Sequence, residues 1–290
     1  MVIRTALDAL ASVLFPAPCR ICGTILTNAS RIPICLSCLD GFYRISDPMC
    51  QCCGRPFISA VASDAAHPLC RLCRVQFFAF QRARSYAVYD DALSSAVVLL
   101  KYEGVRRLGD WFAARLAETL SHDPEAMRAE LVVPVPLHPD RLRERGYNQA
   151  EMIAKPLARK IGIPFGSYLL VRTRPRPSQL VLSRTERWTS VRGAYATREG
   201  ARVDNLRILL VDDVLTTGAT LDSCSRALLK AGAASVFGAT VARVVPGWVA
   251  PAVRPPAARL RKETAGHQPA SVRQGVVGAA KEGKANGQPA

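Results

Sequence analysis

The sequence predicts an α/β protein: a parallel sheet flanked by helices, preceded by a small metal-binding module. Three observations carry this. Nine of the ten cysteines lie between residues 19 and 73 and include four CxxC pairs. Beyond residue 77, short apolar runs alternate with amphipathic segments, the pattern of strands joined through helices into a parallel sheet. One such run, "ILLVDDVLTTGAT" (208–220), passes straight into two acids and a loop of threonines and glycine. Parallel sheets take their ligands at the carboxyl ends of their strands.

The chain opens with "MVIRTALDALASVLF", which reads as a short amphipathic helix rather than a signal peptide. No apolar run in the chain approaches the ~20 residues that a bilayer span requires. The expectation is a soluble cytoplasmic protein without a membrane span.

The cysteine pairs follow: Cys19/Cys22, Cys35/Cys38, Cys50/Cys53 and Cys70/Cys73. Thiolates three residues apart in a tight turn can share one tetrahedral ion, so the spacing favours zinc over disulfides. "CRICG" and "CQCCG" end in glycine, whereas "CLSC" and "CRLC" do not, and the second set repeats the first after 31, 31, 35 and 35 residues. The repeat suggests a duplicated module in which each copy closes its own site. Cross-braced pairing is the rival arrangement, and Cys52 is a spare thiol that could exchange as a ligand. Four thiolates leave no open position, so both zinc sites are structural and supply folding free energy. Cys224 reads as a buried free thiol.

Residues 1–76 thus form the metal module and residues 77–246 the α/β domain. Strands are expected at 84–90, 131–135, 167–171, 207–211 and 235–243. Helices are expected at 91–102, 109–120, 147–162 (with Pro156 as a kink) and 219–231. From 247 to 290 the chain is rich in Pro, Ala, Gly, Gln and Lys, and residues 251–290 carry seven basic and two acidic side chains. Such a segment cannot bury a core and reads as a solvated basic tail. The net charge of +16 suits acidic partners such as phosphates or nucleic acid.

The acid–threonine stretch carries the chemistry. A loop entering a helix presents backbone N–H groups, and the helix dipole and threonine hydroxyls complete an anion site. Thr216, Thr217, Gly218, Ala219 and Thr220 fit a phosphate, with Gly218 allowing close backbone approach. Asp212 and Asp213 would repel that phosphate unless they face another part of the ligand. Ionised carboxylates accept only, so they suit the adjacent hydroxyls of a ribose. A sugar phosphate satisfies both halves.

"VDDVLTTGAT" resembles the phosphoribosyl pyrophosphate (PRPP) motif of type I phosphoribosyltransferases. With the cysteine module, "VPVPLHPDRLRERGYNQAEMIA" and "LKYEG", the chain from about 14 to 245 resembles the ComF family, which includes GntX-like proteins. The resemblance implies a type I phosphoribosyltransferase fold behind a double zinc ribbon. It implies transfer of phosphoribose from PRPP, with Mg²⁺, to an acceptor, and a link to competence, DNA uptake and single-stranded DNA. A PRPP-sensing regulator without turnover and a DNA-uptake factor are its alternatives. Asp212 and Asp213 would be the catalytic-site acids. Pro136, Leu137 and His138 would meet pyrophosphate. Arg141, Arg143 and Arg145, at every second position of a basic loop, would reach phosphate oxygens. The long connection 172–192 would be a mobile lid, with Arg172, Arg174, Gln179, Arg184 and Arg187 as its candidates. Ser190 stands where the family pattern has asparagine. His138 and Glu103 are candidate general bases.

Overall fold

The computed structural model describes residues 17–26, 31–57, 68–75, 78–174 and 184–249. The amino-terminal segment and the tail beyond 249 lie outside them. In chain order the elements are α1 (Leu36–Asp40), α2 (Arg71–Val75), β1 (Arg82–Val88), α3 (Asp91–Tyr102), α4 (Arg107–Ser121) and α5 (Pro124–Met127). Then come β2 (Leu131–Pro134), α6 (Pro139–Arg145), α7 (Gln149–Ile161), β3 (Leu170–Arg172), α8 (Arg184–Val191), β4 (Tyr195–Thr197), β5 (Arg207–Leu215), α9 (Ala219–Lys230) and β6 (Ser235–Arg243).

Four strands form a sheet in the order β1–β6–β5–β2, and every pairing is parallel. The central strands are buried on both faces, all nine residues of β6 included, which is why they read as continuous apolar runs. On one face, Leu209, Val211 and Val241 pack under α3, α4 and α7. On the other, Ile208, Leu210 and Val236 pack under α9 and the β3–β4 pair.

The expected strand at 167–171 is displaced. Strand structure begins at Leu170 and pairs antiparallel with β4 outside the main sheet, while Tyr168 sits at φ 65°. An apolar run alone does not say which sheet it joins.

Pro156 lies inside a continuous α7. A proline there removes the N–H that Met152 O would accept. Gly109 of α4 approaches that same carbonyl so closely that a Cβ would stand 2.3 Å from it. The glycine permits the close crossing of α4 and α7, and the carbonyl freed by Pro156 faces it.

The cysteine module covers the outer edge of β1. Ala83 N donates to Cys52 O at 2.7 Å, Val88 N to Tyr43 O at 2.8 Å, and Ile45 N to Tyr86 O at 2.9 Å. Its first half (Ile21, Ile34, Leu39, Phe42) joins the core beneath α3 and α4. Trp248, assigned to the tail by composition, stacks edge-on against Tyr43 with centroids 5.9 Å apart.

Candidate functional site

The two halves of the cysteine module are built alike. Gly23 N bonds to Cys19 O as Gly54 N does to Cys50 O, and Arg20 N to Pro33 O as Gln51 N does to Pro68 O. Cys35 N donates to Cys19 Sγ, and Cys70 N to Cys50 Sγ, both at 3.3 Å. The sulfurs gather as Cys19–Cys22–Cys35–Cys38 and Cys50–Cys53–Cys70–Cys73, each set within 4.8 Å of one another. This is the sequential grouping, and Cys52 is in neither set. Ligands about 2.3 Å from a tetrahedral centre stand roughly 3.8 Å apart. Cys22–Cys35 and Cys53–Cys70 are each separated by 3.7 Å, so both tetrads fit zinc.

At the carboxyl end of the sheet lies a cleft of about 500 Å³. Asp212 and Asp213 line its floor, but they stand within β5, which runs on to Leu215, rather than beyond a strand ending at 211. Alternation along the strand sends them to opposite faces. Asp213 meets Lys101 Nζ of α3 at 2.6 Å. Asp212, on the α9 side, accepts from Asp213 N at 2.9 Å. Burial, then the neighbouring Asp213 charge, push the Asp212 pKa up to about 8. Burial thus works against the ionisation of Asp212 that a purely accepting role requires. Burial opposes the charge on Lys101, but Asp213 and Asp212 outweigh it and raise its pKa.

The loop after β5 turns at Gly218 (φ 86°) directly into α9, with Thr216, Thr217, Ala219 and Thr220 lining the cleft. The glycine has a structural reason of its own. A Cβ there would meet the Phe78 ring at 2.7 Å. Left-handed backbone and packing against Phe78 both require glycine here.

The basic loop is helix α6. Its period brings Arg141 and Arg145, four apart, onto one face, and both line the cleft. Arg143 does not; it pairs with Asp140. His138 lines the cleft but caps α6, its Nδ1 lying 3.4 Å from Asp140 N. Glu103 pairs with Arg20 of the cysteine module and is not a cleft residue. Arg172 stands over the Tyr195 ring at 5.4 Å and lines the cleft, its Nη2 buried without a partner among the described residues. In the expected lid, residues 184–191 form α8, and Ser190 reaches the cleft. Gln179 and the side chains of Arg184 and Arg187 lie outside the described residues.

Sequence reasoning missed Lys101, Tyr195 and Asn148. Asn148 caps α7 and donates to Val135 O at 2.9 Å, fixing the loop after β2. Its signal was present: an asparagine directly before an amphipathic run.

Comparison with known proteins agrees with this architecture. Residues 148–253 match the family model of the phosphoribosyl transferase domain, and residues 10–74 match that of the double zinc ribbon domain. The chain is 31% identical over 218 residues to competence protein ComFC of Bacillus subtilis, covering 72% of this chain and 84% of that protein. It is 32% identical over 231 residues to DNA utilization protein YhgH of Salmonella typhimurium, covering 76% and 94%. Competence protein F of Haemophilus influenzae is 36% identical over 104 residues, covering 36% and 45%. With both cysteine tetrads, the parallel sheet and the acid–threonine stretch in place, the chain belongs to the ComF family: a phosphoribosyltransferase-type domain behind an amino-terminal double zinc ribbon.

Proposed function

We propose that the chain binds PRPP in the cleft above β5 and transfers its phosphoribosyl group to an acceptor, releasing pyrophosphate. One observation carries the reading: a buried acid pair, a glycine-turned loop opening α9, and four cationic side chains meet in one cleft. The N–H groups and hydroxyls of 216–220 hold the 5-phosphate. The diol sits astride the end of β5, between Asp212 and Asp213. Lys101, Arg141, Arg145 and Arg172 face the pyrophosphate.

The bond from C1 to the pyrophosphate oxygen breaks while a bond forms from C1 to the acceptor. The cations stabilise the charge that grows on the leaving group. The carboxyl oxygens of the acid pair are hard donors of the kind that would suit Mg²⁺. When bound, Mg²⁺ would add Lewis-acid stabilisation of the pyrophosphate oxygens. Thermal unfolding with PRPP and Mg²⁺ tests binding: at 100 times Kd the ligand should add about 2.7 kcal/mol. An unmoved Tm at millimolar PRPP defeats the proposal. Stabilisation without pyrophosphate release across a panel of acceptors would assign a PRPP sensor instead.

The names of the relatives, read with a second feature, support a DNA contact as well. A groove of about 770 Å³ between α4 and α7 is lined by Arg31, Arg106, Arg107, Lys155 and Arg159, against Asp110 and Glu151. Single-stranded DNA laid there by its backbone should bind with strong salt dependence. Reversing charge at Arg106 and Arg159 should weaken binding at least tenfold and flatten the salt slope; an unchanged slope would remove the groove from the reading.

A further inference from the structure

Arg243 ends β6 and is 1% exposed. Buried cations normally face a carboxylate. The other buried arginine at this edge, Arg84, does so: its Nε is 2.7 Å from Asp123 Oδ2. Arg243 has no carboxylate partner among the described residues. One arm of its guanidinium, Nη2, lies 3.5 Å from Cys53 Sγ. The other arm, Nη1, donates to Leu215 O at 3.0 Å and to Thr216 O. One buried side chain thus spans from a ligand of the second tetrad to the loop that opens α9.

Two physical consequences meet in it. Four thiolates around a divalent ion carry a net charge of −2, so a loaded tetrad supplies the counter-charge that Arg243 otherwise lacks. A planar trans peptide points its C=O and N–H in opposite directions. Drawing the Leu215 and Thr216 carbonyls toward Arg243 therefore turns the N–H groups of Thr216 and Thr217 away from it, on the side of the cleft that both residues line. These are the donors that a phosphate in this loop would use.

We propose that Arg243 is a positioning residue that couples metal loading of the Cys50–Cys53–Cys70–Cys73 tetrad to the geometry of the phosphate loop. Loss of that metal loosens the loop, and a ligand held in the loop slows loss of the metal, since coupling between sites is reciprocal. The first tetrad has no such link among the described residues. This inference rests on the reading of 216–220 as the phosphate loop, but its geometric core does not require that PRPP be the ligand.

Hydrogen exchange of the full-length, zinc-loaded chain tests it, followed in peptides covering 213–221, with metal content measured in parallel. In R243M, two zinc ions should remain while exchange in these peptides rises at least tenfold. C53S should produce the same rise through loss of the second metal, and C35S, in the first tetrad, should not. R243K keeps the charge but not the fork, and should fall between wild type and R243M; it serves as the decisive variant if R243M does not fold. Wild-type exchange in a folded R243M or R243K, or a C35S effect equal to that of C53S, overturns the coupling. PRPP titration of the same samples separates the two proposals. A wild type that ignores PRPP defeats the function proposed above, while the exchange data still decide the role of Arg243.

Discussion

Asp212 and Asp213 are neighbours in sequence with different environments. One meets a lysine; the other is buried between its partner's charge and apolar packing. The sign of the consequence follows from the raised pKa. Below about pH 4 Asp212 is protonated whether folded or not and costs nothing. As pH rises toward about 8 the unfolded chain ionises freely while the folded one resists, so stability is lost across that interval. Asp212→Asn cannot ionise. The ligand-free variant should be more stable than wild type, by roughly 1 kcal/mol or more near pH 8, with a smaller gap near pH 5. The stabilisation by PRPP should shrink sharply, because the amide can never become the acceptor-only carboxylate that a diol favours. Tm measured against pH, with and without PRPP, checks both halves; a gap independent of pH would contradict the assigned ionisation. The pair itself was legible in the sequence. Lys101 was not, since its meeting with Asp213 depends on β1 and β5 lying on either side of β6.

At the scale of elements, period decides function. Read as a loop, 141–145 offers all three of its arginines, at 141, 143 and 145. Wound as α6, two face the cleft and the middle one faces Asp140. His138 before Pro139, an acid in the first turn and Gly146 at φ 75° are start and stop signals visible in the sequence. Reading them would have predicted the helix. The α4–α7 crossing is different. Gly109 and Pro156 are legible separately, but their shared carbonyl at Met152 is not. Gly109→Ala must push α7 away or shift that carbonyl. A loss of about 1–3 kcal/mol is expected from such overpacking, measured by chemical denaturation. An effect under about 0.5 kcal/mol would mean that the crossing is looser than its geometry implies.

For the whole molecule, the cysteine module is also the cover of the sheet's open edge, because β1 lends it three backbone hydrogen bonds and the first half shares the core under α3 and α4. Trp248 closes the same seam from the other end of the chain, against Tyr43 beside Ile45, Val88 and Val245. Truncation after Pro246 should therefore lower Tm by several degrees, whereas truncation after Val249 should leave it unchanged. Equal Tm values for the two would show that Trp248 adds nothing to the seam.

The sequence by itself determined the chemistry-bearing local units: two cysteine tetrads, a parallel α/β sheet, and an acid pair running into a threonine–glycine loop that opens a helix. Each is written in short-range spacing, and spacing fixes which side chains a turn, helix or strand presents together. Only the tertiary structure decided what those units meet. It moved 167–171 out of the main sheet, packed Phe78 against Gly218, and raised the Asp212 pKa through burial. It brought Lys101 to Asp213 and Arg243 to Cys53. These contacts join residues far apart in the chain, and the order of strands, burial and charge compensation that set them are properties of the packed whole.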